Sequence, residues 1–113
     1  MSDNELNLRS NSRFGLSEPA LATIIAALSK HVAIKRAIVY GSRAKGNYRE
    51  GSDIDLTLDA PMLSDFDFSS IWHELDESNL PYLIDLSKLH DLKSNNLLDH
   101  INRVGVVLYE RSP

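Results

Sequence analysis

The stretch VYGSRAKGNYREGSDIDLTLD, Val39 to Asp59, decides how this chain is read. It opens on β-branched residues that close on Gly41-Ser42, passes through ten residues that are mostly polar or small, and ends in Asp53-Ile54-Asp55-Leu56-Thr57-Leu58-Asp59. The last segment alternates. Ile54, Leu56 and Leu58 fall on one side, and Asp53, Asp55, Thr57 and Asp59 on the other, which predicts a strand with one apolar and one acidic face. Carboxylates two positions apart on a strand repeat at roughly 6.6 Å, close enough for both to reach one ligand.

Upstream, AIKRAIVYG reads as a short strand that stops in a turn at Gly41. Before it, LSEPALATIIAALSKHV carries Ser17 as a helix cap, Pro19 in the first turn, and Leu21, Ile24, Ile25, Leu28 and Val32 at helical spacing. Residues 1 to about 15 are rich in Ser, Asn and charge and are expected to form a flexible arm, with one domain over residues 16–113. Downstream, SDFDFSSIWHELDES is capped by Ser64 and repeats apolar residues at Phe68, Ile71, Trp72 and Leu75, a second helix with Trp72 expected in the core. LPYLIDLSKL is a third strand. SNNLLDHINRVGVVLYE combines a helix around Leu97, Leu98 and Ile101 with a last strand, VVLY. The expected fold class is therefore α/β (α+β), a single domain with a mixed sheet flanked by helices.

A chain of 113 residues has room for one core and no second lobe. Its net charge of −4, with the twelve Lys and Arg scattered, argues against extensive nucleic-acid binding. The absence of cysteine removes disulfides, thiolate zinc sites and cysteine nucleophiles. The first residues are polar where a signal peptide needs an apolar run, and no segment is long enough to span a bilayer, so a cytoplasmic location and no membrane contact are expected.

Two or three carboxylates brought together raise one another's pKa and resist joint ionisation. A divalent cation removes that cost, and all-oxygen donors suit Mg²⁺ or Mn²⁺ rather than zinc. Such an ion commonly meets a polyphosphate. Gly41 allows the chain to pass close to a ligand, Ser42 offers a hydroxyl and an amide at the start of a short helix, and Arg43 and Lys45 add positive charge. Each part alone has a plainer reading: a Gly-Ser turn is a common strand ending, and an Asp-x-Asp strand face is usually solvated, as expected for Asp59, Asp65 and Asp67. Tyr48 and Arg49 are expected to be loop surface. His31, His73, His90 and His100 fall on different elements without ligand spacing and are expected in surface or structural roles.

Gly41-Ser42, ten intervening residues and Asp53-Ile54-Asp55 together resemble the signature of the DNA polymerase beta-like nucleotidyltransferase superfamily. Residues from about Leu16 onward resemble its small members, the minimal nucleotidyltransferases or MNT proteins. In LIDLS, Asp85 stands where the resemblance implies a third carboxylate. The resemblance further implies two Mg²⁺ ions held by Asp53, Asp55 and Asp85, with Asp85 assisting deprotonation of the acceptor, and a triphosphate held by Gly41 and Ser42 with Arg43 alongside. The implied reaction transfers a nucleoside monophosphate, AMP from ATP, to a hydroxyl. It also implies a protein acceptor, since many MNT proteins are antitoxins that form hetero-oligomers with a HEPN ribonuclease toxin and in some cases AMPylate it. Neutralisation by binding alone, and modification of a small molecule such as an aminoglycoside, are the alternatives.

Overall fold

The computed structural model describes residues 13 to 112, so the greater part of the expected arm, residues 1–12, lies outside the described residues. Arg13–Gly15 form a short 3-10 turn. Helix α1, Glu18–Ser29, starts as expected: Ser17 Oγ accepts from the amide of Ala20 at 3.2 Å, and Pro19 sits in the first turn, where its missing N–H has no intrahelical partner to lose. Its buried residues are Ala20, Ile24, Ala27 and Leu28. Val32 does not join that stripe. The helix stops at Ser29 and leaves Val32 79% exposed.

Strand β1, Arg36–Tyr40, runs into a five-residue helix α2, Gly41–Lys45, which ends at Gly46 in the left-handed conformation. Strand β2 is Ile54–Asp59. Helix α3, Asp65–Asp76, is capped by Ser64 Oγ, which accepts from the Asp67 amide at 3.0 Å. Strand β3, Ile84–Lys88, helix α4, Asn95–Val104, with Ser94 as its cap, and strand β4, Val106–Glu110, complete the domain.

The four strands form one mixed sheet in the order β3-β2-β1-β4. β1 is antiparallel to both β2 and β4, whereas β2 and β3 are parallel and need the crossover that α3 supplies. Among the described residues no helix is long and apolar enough to cross a membrane.

Helices α1 and α3 cover one face of the sheet, where Ile24, Leu28, Val39, Leu56, Leu58 and Ile71 are wholly buried. Each such side chain contributes about 1.5–3 kcal/mol by leaving water. α4 covers part of the other face, where Ile101 packs on Ile38 and Tyr40. This second cover changes the reading of β2. Thr57, expected on a solvated acidic face, is fully buried and shares a 2.9 Å hydrogen bond with the hydroxyl of Ser87 on β3. The acidic surface therefore narrows to the end of the sheet that α4 leaves open.

The expected solvated aspartates are also partly engaged. Asp59 pairs with Arg36 at 3.0 Å, and Asp65 takes a 2.6 Å contact from Lys88, whose ammonium is buried and also donates to the carbonyl of Leu63. Trp72 departs from expectation. It is 42% exposed and lines a shallow groove with Leu80, Tyr82 and Leu83 instead of entering the core, which Ile71 and Leu75 fill from the same helix.

Candidate active site

The end of β1 and the starts of β2 and β3 meet at one edge of the domain. Register does the gathering. Tyr40 lies opposite Asp55 across the antiparallel pair, and Asp55 lies opposite Asp85 across the parallel pair, so the three side chains share a face. Neighbouring strands stand about 4.8 Å apart, which sets the two carboxylates side by side. Asp53 precedes the first residue of β2 and is exposed, Asp55 is half-buried, and Asp85 is exposed.

The carboxylates feel one another. Burial raises the pKa of Asp55 above its ordinary value, the charges of Asp85 and Asp53 raise it further, and His100 opposes them. Beneath them the phenol of Tyr40 is also raised, first by burial and then by Asp55 and Asp85, against the effect of a hydrogen bond with Ser87. None of the three aspartates takes part in the ion pairs found among the described residues.

Gly41 is the pivot between β1 and α2. Its φ is +73°, a conformation that L side chains rarely adopt, and a Cβ there would collide with Asp55 Oδ2. The backbone conformation thus favours glycine, and a side chain there would displace the Asp55 carboxylate. The Gly41 amide donates to His100 Nε2 on α4 at 3.2 Å, and the imidazole meets the Tyr40 ring edge-on with centroids 6.2 Å apart. Ser42 follows as the second residue of α2.

Arg43 turns away from this edge. Only 3% exposed, it donates from Nε and Nη2 to the carbonyl of Ser52 at 3.0 and 2.7 Å and from Nη1 to the carbonyl of Phe14 at 2.8 Å. Its guanidinium lies 5.0 Å from the ring centroids of both Tyr48 and Tyr82. The expectation that Arg43 lies beside a phosphate thus meets a guanidinium whose donors serve backbone carbonyls. Those bonds hold together the turn before α1, the loop before Asp53 and the approach to β3. Tyr48, expected at the loop surface, is drawn inward by the same contact and packs over Gly15.

Among the described residues no group of three or more His, Cys, Asp or Glu side chains already converges as a metal cage. The donor chemistry nevertheless fits a hard divalent cation: oxygen ligands from Asp55 and Asp85 in register, Asp53 adjacent, and a mutual repulsion at Asp55 that added positive charge would relieve. His100, expected in a surface or structural role, stands against the turn and braces its backbone. Its contact with Gly41 spans 59 residues of sequence and carries no local signal.

A mixed sheet with a glycine turn at the end of one strand and in-register aspartates on its neighbours defines a nucleotidyltransferase-type domain. The family Polymerase beta, Nucleotidyltransferase matches residues 22–113, and the chain belongs to it. Among curated proteins none matches the chain. Solved structures similar to it include a toxin-antitoxin with AMP-PNP, at 24% identity and TM-score 0.64 over 80% of this chain and 73% of that one. The MntA-HepT toxin-antitoxin is similar at 21% identity and TM-score 0.60, over 84% and 74% of the two chains. So is a tri-AMPylated Shewanella oneidensis HEPN toxin in complex with MNT antitoxin, at 21% identity and TM-score 0.60, over 83% and 72%. At these identities the likeness shows the fold.

Proposed function

We propose that this protein is an Mg²⁺-dependent nucleotidyltransferase that moves AMP from ATP to a hydroxyl of a partner protein, and that it serves in the cytoplasm as the antitoxin of a HEPN-type ribonuclease toxin. The observation that carries the reading is the alignment of Asp55 with Asp85 beside a turn at Gly41 that admits no side chain. Membership of the nucleotidyltransferase family supports the reaction class. The folds it resembles include an antitoxin bound to an AMPylated toxin, which supports the acceptor and the partner.

In this reading Asp53, Asp55 and Asp85 hold the divalent ions, Mg²⁺ or Mn²⁺. When bound, such ions supply positive charge that stabilises the attacking and leaving oxygens of an in-line displacement. Gly41 and Ser42 hold the triphosphate tail and keep the α-phosphorus facing the acceptor. Asp85, exposed like Asp53, accepts the proton of the acceptor hydroxyl. The new bond joins that oxygen to the α-phosphorus, the bond to the β-phosphate bridging oxygen breaks, and pyrophosphate leaves. Arg43 serves this chemistry indirectly by holding the Ser52 carbonyl next to Asp53.

Intact mass of the co-expressed partner after incubation with this protein, ATP and Mg²⁺ tests the reading. Increments of AMP that disappear with Asp53→Asn, Asp55→Asn are expected; a partner of unchanged mass in a stable complex would overturn transfer.

A further inference from the structure

We infer that His100 is a positioning residue for nucleotide binding: its Nε2 holds the amide of Gly41 and so sets the turn that would receive the triphosphate. The inference deepens the proposed transferase reading and rests on it. Gly41 N–H is the first amide of α2 and, like the first donors of any helix, has no partner within it. His100 supplies one from the other side of the site, at 3.2 Å. Asp55 stands beside the same residue, where a Cβ would meet its Oδ2. Gly41 thus has an imidazole acceptor on its amide and a carboxylate where a side chain would stand, in a left-handed backbone conformation.

The acceptor is itself held. Ile101, the next residue on α4, is buried against Ile38 and Tyr40 of β1, with Leu97 packed one turn earlier. The imidazole edge rests on the Tyr40 ring. Since Tyr40 immediately precedes Gly41, the same histidine braces both residues at the junction of β1 and α2. Accepting from an N–H uses the lone pair of Nε2, and that acceptor is what the turn takes from His100. A replacement that retains an acceptor at that reach keeps the turn, and one that retains only a positive charge does not.

Three variants of the full chain separate these possibilities: His100→Ala, His100→Gln, whose side-chain oxygen can accept, and His100→Lys, which is charged but cannot. Amide exchange at Gly41 is expected to accelerate about tenfold in the Ala and Lys variants and to stay near wild type in the Gln variant, the change associated with one lost hydrogen bond. In the transfer assay, KM for ATP is expected to rise about tenfold in the Ala and Lys variants with kcat within about twofold, and the Gln variant to recover it. Unaltered Gly41 exchange in His100→Ala would overturn the inference. So would rescue by Lys and not by Gln, which would assign His100 to balancing the charge of Asp55. A wild-type protein without transfer activity would count against the transferase reading alone, and Gly41 exchange would then decide the role of His100.

Discussion

Gly41 lies against Asp55 with no room for a side chain between them: a Cβ at position 41 would run into Asp55 Oδ2, and the backbone there has φ +73°. Gly41→Ala therefore meets two penalties. The left-handed conformation costs about 1–2 kcal/mol, and displacement of the carboxylate adds to it. Thermal denaturation is expected to show Tm lowered by roughly 5–10 °C for a domain of this size, with nucleotidyl transfer lost. An unchanged Tm would mean that the turn does not rest on Asp55.

The electrostatics of Asp55 predict a stability that runs counter to the usual carboxylate behaviour. Burial, then Asp85 and Asp53, raise its pKa, so the fold favours the protonated form. A raised carboxyl contributes stability below its unfolded pKa and loses that contribution as pH rises through the folded value. At neutral pH Asp55→Asn should thus be more stable than wild type, with a higher Tm, and the gap should close on acidification. Melting curves between about pH 4 and about pH 8 check the sign. Adding Mg²⁺ should raise the Tm of wild type and not that of the Asn variant.

Arg43 provides a test of structure against ligand contact. Its donors reach the carbonyls of Ser52 and Phe14 while Tyr48 and Tyr82 flank its plane. Lysine cannot reproduce a planar fork between two rings, so Arg43→Lys is expected to destabilise the domain by about 2–4 kcal/mol. In the fraction that remains folded at low temperature, KM for ATP should change little. A large rise in KM with normal stability would return Arg43 to the phosphates.

The Asp53→Asn, Asp55→Asn double variant separates catalysis from binding. Transfer is expected to fall below detection, because the remaining carboxylate, Asp85, cannot by itself hold the ions. On the proposed reading, cell survival against a HEPN-type partner is then expected to fail. Survival with transfer abolished would establish neutralisation by binding alone, and titration of the complex by light scattering would show it as stoichiometric.

Chelation provides a separate check on the metal. Treatment with EDTA should stop AMP transfer while leaving the melting temperature close to that of the protein without added ion, since the core of Ile24, Leu28, Val39, Leu56 and Ile71 owes nothing to the carboxylates. Restoration by Mg²⁺ or Mn²⁺ but not by Zn²⁺ is the expected pattern for oxygen ligands.

Much of this molecule was legible from local pattern. Alternation in residues 53 to 59 marks β2, and caps at Ser17 and Ser64 open two of the three long helices. Asp85 could be set on a strand of suitable type, because a period of two, a cap or a turn is a property of a few consecutive residues. What tertiary structure alone decided are the contacts between distant elements. Parallel register brought Asp85 opposite Asp55 and buried Thr57 against Ser87. The closure of α4 on β1 carried His100 to Gly41 across 59 residues, and a sandwich of two tyrosines turned Arg43 from the site edge into the fold. Spacing along a chain specifies which face a side chain takes; what waits on that face depends on which strand and helix the whole core brings there, and that is a matter of global packing.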